Sequence, residues 1–271
     1  MAVSHNTSPK ILAVANQKGG VGKTTTAVNL ATALAACEQR VLIVDLDPQG
    51  NASTGFGIAK TSQQDTVYNL LFREVSLEEA AAKTNIPNLD ILPSSIHLAG
   101  AEIELTSESQ REQRLYVPLR NTENYDYIII DCPPSLSLLT INAFVAAHAV
   151  IVPLQCEFYA LEGLSQLIRT IERVQSRLNK GLYIHGILLT MFDTRNRLSM
   201  QVVREVREHF GEEVYKTIIP RNVRLSEAPS YGLPALIYDT KCTGSQAYIR
   251  LASEIIKREK EQQKTFKKKA A

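Results

Sequence analysis

The segment Lys18-Gly-Gly-Val-Gly-Lys-Thr-Thr25 has the residue types and spacing of a phosphate cradle. Glycines let backbone N–H groups turn inward around phosphate oxygens, and a helix beginning there adds the positive end of its dipole. Lys23 would place its ammonium on the β- and γ-phosphates of a nucleotide, and the Thr24 hydroxyl would face Mg²⁺. Gly19, Gly20, Val21, Gly22 and Thr25 complete a binding set for ATP with Mg²⁺. The usual pattern has glycine five positions before Gly22, whereas this chain has Gln17 there, followed by Lys18. That second lysine either lies along its own loop as a solvated charge or reaches across a dimer interface to a phosphate held by another subunit.

Two further carboxylate groupings accompany the loop. Asp45-Leu-Asp47-Pro-Gln-Gly50 closes an apolar run, and its carboxylates could cap a turn or orient a water for attack on a γ-phosphate. Asp131 closes Tyr127-Ile-Ile-Ile130, where an aspartate can cap a helix or hold Mg²⁺ through water. Cys132 beside it reads as a small buried hydrophobe, because no histidine or second cysteine is near in sequence.

These residues need strand ends to hold them, and the chain supplies apolar runs at Ile11–Ala15, Val41–Val44, Leu89–Leu92, Tyr127–Ile130, Ala149–Pro153 and Ile184–Thr190. Runs that are apolar on both faces, alternating with helical stretches such as Thr24–Ala36, Leu161–Leu178 and Leu198–Phe210, predict a doubly wound, mostly parallel α/β sheet with helices on both faces. Ligands of such sheets sit at the carboxyl ends of the strands, where the polar segments gather. The 271 residues suit one large domain, expected over 10–257 after a short polar arm, 1–9. The segment 258–271, with Lys264 and Lys267–Lys269, has few apolar residues to pack and is expected to be a disordered basic tail. Thirty Lys and Arg balance 28 Asp and Glu, so any polyanion would have to be bound by a local patch. No cysteine pair has metal spacing, and no apolar run reaches membrane-spanning length.

The Lys-Gly-Gly-x-Gly-Lys-Thr form resembles the deviant P-loop ATPases, among them partitioning ATPases, septum-site MinD proteins and nitrogenase iron proteins. With Asn51–Gly57, Leu189–Arg195 and Val214–Pro229 added, the chain is similar to ParA/Soj-type chromosome-partitioning ATPases from about Lys10 to Lys257. This resemblance implies that Lys18 acts in trans, that Asp47 is the hydrolytic residue supported by Asp45, and that Thr24 and Asp131 serve the metal. It implies an adenine pocket lined by Pro220, Asn222 and the backbone near Met191, residues that could equally form an ordinary loop turn. Arg195 and Arg224, with Arg221 as a third candidate, would meet DNA phosphates, although a solvated basic surface would look the same.

The implied activity is Mg-dependent ATP hydrolysis, weak alone and stimulated by a ParB-like centromere-binding partner. An ATP-bound homodimer would bind DNA non-specifically in the cytoplasm, at the nucleoid. The nine residues before the first strand leave no room for a helix-turn-helix module and favour the chromosomal over the plasmid type. A membrane partner is not expected, since Phe266 is the one large apolar residue beyond Ile256 and no amphipathic face forms. A second reading from another class is a metabolic enzyme using the same loop for phosphoryl transfer to a small molecule.

Overall fold

Alternate residues of the strand β1 (Lys10–Val14) feed opposite sides of the molecule: Ile11 and Ala13 join one core, Leu12 and Val14 the other. In the computed structural model, which describes residues 8–58, 64–157 and 160–270, β1 lies inside one seven-stranded sheet. The other strands are β2 (Val41–Asp45), β3 (Ala82–Lys83), β4 (Leu89–Leu92), β5 (Tyr127–Asp131), β6 (Ala149–Gln155) and β7 (Tyr183–Thr190). Their order is β3-β4-β2-β5-β1-β6-β7, with only the β3–β4 pairing antiparallel. The fold is therefore the doubly wound α/β class. β3 escaped the sequence reading because it has two residues and no buried run.

Helices Lys23–Ala36 and Thr243–Ala270 cover one face, contributing Leu30, Leu34, Tyr248 and Leu251 to its core. Helices Leu138–Ala146 and Ala160–Arg177 cover the other with Phe144, Leu164 and Leu167. Because the parallel strands point the same way, the ends of β1, β2, β5 and β7 bring the loop at Lys18, the Asp45–Asp47 segment, Asp131 and Met191 to one edge.

Residues 1–7 of the predicted arm lie outside the described residues. The expectation of a disordered tail is corrected: the helix Thr243–Ala270 runs through that segment. Lys, Glu and Gln are good helix formers, and the start of the segment is anchored, with Glu259 buried against His185 at 2.8 Å and Lys10 at 3.0 Å. At about 1.5 Å per residue the helix is about 42 Å long.

Candidate nucleotide site

The loop between β1 and helix Lys23–Ala36 is braced from β6 and from the end of β7. Asn16, buried, donates to the Pro153 carbonyl at 2.7 Å and accepts from the Lys18 N–H at 3.0 Å. Thr190 donates to the Val21 carbonyl at 2.8 Å. Gly20 and Gly22 have φ of 74° and 90°, left-handed values at which a side chain would strain the turn. These bonds fix the path of the loop, and the helix N-terminus behind it offers N–H groups to an anion.

The two lysines of the loop point to different places. Lys23 is buried and donates to the Lys18 carbonyl at 3.0 Å, inside the turn. Burial pushes its pKa down, opposed by the charges of Asp131, Cys132 and Asp47. Lys18 leaves the turn, and its ammonium meets Glu157 at 2.9 Å with 40% of the side chain exposed.

Beneath the loop lie three carboxylates. Asp45 is buried, with Oδ2 accepting from the Ser53 N–H at 2.7 Å and the Ser53 hydroxyl at 2.6 Å, while Oδ1 has no partner. Burial raises its pKa to about 6 against the pull of those Ser53 bonds. Asp131 is fully buried with both oxygens unpartnered, and burial, then the charge of Asp45, push its pKa well up against Thr24 and Lys23. Asp47 accepts from the Gln49 N–H through Oδ1 at 2.9 Å. Cys132 is buried, and burial followed by the neighbouring Asp131 raises its thiol pKa, as suits a small hydrophobe.

Orphaned buried carboxylate oxygens beside Thr24 fit a hydrated divalent cation, since Mg²⁺ keeps several waters and takes one or two carboxylates with substrate phosphates. Thr24 would hold it directly and Asp131 through water; once bound, the ion would neutralise phosphate charge. Among the described residues no cluster of three or more His, Cys, Asp or Glu side chains is arranged to bind a metal.

Next to the cradle a cavity of about 180 Å³ is lined by Gly22, Thr25, Met191, Pro220, Asn222 and Tyr248, among others. The chain brings Pro220 there by pairing it with Phe192, beyond the end of β7. Met191 sits at φ 52°, a left-handed value costing a non-glycine residue about 1 kcal/mol. Asn222 caps helix Val223–Glu227 by accepting from the Arg224 N–H and donates to Thr243 at 2.9 Å.

The three candidate DNA contacts are all exposed around this rim. Arg195 is held by both oxygens of Asp193, and Arg224 pairs with Glu227 at 2.8 Å and Asp239 at 3.5 Å. Arg221 exerts its charge on Asp193. Asn16, Ser53, Ser94, Glu157 and Tyr248 were not singled out from sequence as site residues. Ser53 lies within the Asn51–Gly57 stretch that carried part of the resemblance, whereas the others have no local pattern that marks them.

A mostly parallel sheet whose first strand feeds a glycine-lysine-threonine cradle, with aspartates closing the adjacent strands, defines a P-loop nucleoside triphosphatase. The AAA domain family matches residues 9–184. The chain is 58% identical over 257 residues to the chromosome partitioning protein ParA of Caulobacter vibrioides (strain NA1000 / CB15N), covering 94% of this chain and 96% of that one. It is 55% identical over 247 residues to the sporulation initiation inhibitor protein Soj of Bacillus subtilis (strain 168), covering 91% and 98%. Among solved structures, it is similar to cobyrinic acid a,c-diamide synthase from Mycobacterium smegmatis with bound ATP analog and magnesium, with a TM-score of 0.82, 38% identity, and 93% and 96% of the two chains covered. The chain belongs to the ParA/Soj family of P-loop partitioning ATPases.

Proposed function

We propose that this chain is an ATP-switched partitioning ATPase of the chromosomal type. Two ATP-bound subunits face each other across their cradles, Lys23 of each holding its own β- and γ-phosphates and Lys18 reaching the phosphate of the other. Asp47 orients the attacking water, Asp45 supports that segment, and Thr24 with Asp131 serves Mg²⁺. Met191, Pro220 and Asn222 receive the adenine. The dimer joins two patches containing Arg195, Arg221 and Arg224 into one surface for non-specific binding of nucleoid DNA. A ParB-like partner then accelerates hydrolysis and releases the dimer. The names of the relatives support the partitioning role.

The observation that carries this reading is the divergence of the two lysines. One is buried within the turn, and the other leaves it, 40% exposed, and ends on Glu157 at 2.9 Å. Sedimentation with ATP and with ADP tests it. Lys18→Ala is expected to bind ATP as a monomer and lose the ATP-dependent dimer, whereas Lys23→Ala is expected to lose nucleotide affinity itself. A stable Lys18→Ala dimer in ATP removes the trans role.

The likeness to an amide synthase structure favours a second reading, phosphoryl transfer to a small molecule. ATP turnover stimulated by a metabolite and indifferent to DNA would select it.

A further inference from the structure

We infer that Ser53 and Ser94 form a clamp that positions the Asp45–Asp47 segment for ATP hydrolysis. The inference rests on the hydrolytic role proposed for Asp47. Ser53, on helix Asn51–Gly55, spends both its N–H and its hydroxyl proton on one oxygen of Asp45, at 2.7 and 2.6 Å. The same hydroxyl oxygen accepts from the Ser94 N–H at 3.1 Å. Ser94, two residues beyond β4, donates its own hydroxyl proton to the Asp47 carbonyl at 2.6 Å. These bonds run from the end of β4 through the helix to both aspartates at the end of β2.

The exposures are 1% for Ser53 and 5% for Ser94, so water does not compete for the bonds. Each hydroxyl has one proton to give, and here each has one acceptor. Turning the Ser53 hydroxyl away would take one of two donors from Asp45, and turning the Ser94 hydroxyl away would leave the Asp47 carbonyl with the Gly50 N–H alone, at 2.8 Å, and a buried hydroxyl proton without an acceptor. Buried groups without partners are costly, so the arrangement has a single favoured state. Its consequence falls on Asp47. With the backbone pinned by Ser94 and Oδ1 held by the Gln49 N–H, the other carboxylate oxygen is left to a water in a fixed direction. Such fixing matters, because a misplacement of about 1 Å can cost about 10²-fold in rate. Ser53 and Ser94 spend their hydroxyl protons on the two aspartates and act through them as positioning residues.

The test measures steady-state Mg-ATP hydrolysis and fluorescent ATP-analogue affinity on the full chain, with thermal melts to confirm folding. Ser94→Ala is expected to lower kcat about tenfold, a fraction of the full misplacement cost, with KM and analogue affinity within about twofold. Ser53→Ala should behave alike, and Ser94→Thr, which keeps the hydroxyl, should recover most of the rate. Because the serines act through Asp47, the double variant Asp47→Ala/Ser94→Ala should be no slower than Asp47→Ala. Wild-type turnover in both alanine variants, a rate that falls only in step with nucleotide affinity, or a slower double variant would each overturn the clamp. If Asp47→Ala itself keeps the wild-type rate, the proposed role of Asp47 fails instead. Should Ser94→Ala not fold, Ser53→Ala and Ser94→Thr decide the matter.

Discussion

At the amino-terminal edge of the sheet, Lys10 opens β1 and Tyr183 opens β7, and both belong to a network that closes on itself. Lys10 meets Tyr183 at 2.8 Å and Glu259 at 3.0 Å, while His185 is shared between Glu259 and the buried Tyr215. Burial raises the pKa of Glu259, but the bonds from His185 and Lys10 outweigh it and hold that carboxyl below its usual value. At the opposite edge the charges are as deeply buried and poorly satisfied. Of the five buried side-chain polar atoms without a partner among the described residues, three are oxygens of Asp45 and Asp131 and a fourth is Ser95 Oγ, beyond β4. An edge that pairs its charges secures the helix Thr243–Ala270 to the sheet. One that leaves them orphaned has buried carboxylate oxygens whose hydrogen-bonding capacity is unspent.

The largest expected effect lies at the unsatisfied edge. Asp47→Ala should bind Mg-ATP yet hydrolyse it about 10²–10⁴ times more slowly in the presence of DNA and partner, since loss of a positioned group typically costs that much. Wild-type turnover would break the assignment of chemistry to this edge. At the satisfied edge, Glu259→Ala leaves Lys10 and His185 without their buried carboxylate and should cost about 3 kcal/mol in urea unfolding. Its nucleotide affinity should stay within about twofold, and a large loss would mean the two edges are not independent.

A smaller change is expected for the arginines at the site's rim. With two arginines and one lysine from each subunit on phosphates, about six contacts form, giving a log–log salt slope near −5. Arg195→Ala or Arg224→Ala should flatten it by roughly two units per dimer, uniformly across DNA sequences, in gel-shift titrations with ATP. Both guanidiniums already hold carboxylates, so a phosphate must share or displace them. An unchanged slope in both variants would move the patch elsewhere.

The smallest effect concerns His148, whose Nδ1 accepts from the Ile11 N–H at 3.1 Å while Arg120 lies 2.7 Å from Nε2. Burial, then the charges of Arg120 and Lys10, lower its pKa from 6.5 to about 4. The unfolded chain therefore binds the proton more readily between those values. Stability from neutral His148 is present above about pH 6.5 and lost as pH falls toward 4. His148→Asn should flatten the fall in Tm between pH 7 and pH 4.5, measured by calorimetry.

The cradle, the six longer strands and the aspartates that close them were legible in the chain, because each depends on neighbours within a few residues. A buried parallel strand must be apolar on both faces, and a phosphate turn needs glycine where φ is positive, so Ile11–Val14 and Gly20–Lys23 announce themselves. The segment from 258 was misread because its composition lacks apolar residues, while its anchor, Glu259 on His185 and Lys10, joins positions 74 and 249 residues apart. Only the tertiary structure decided that Met191, Pro220 and Asn222 share one cavity with Gly22, and that Lys18 turns out of its loop toward Glu157. It also brought Ser94, 41 residues beyond Ser53, into bonding distance of the Asp45–Asp47 segment. Such contacts depend on how β4 registers against β2 and β7 against β6, and that register is set by the packing of whole strands and helices rather than by any local pattern of residues.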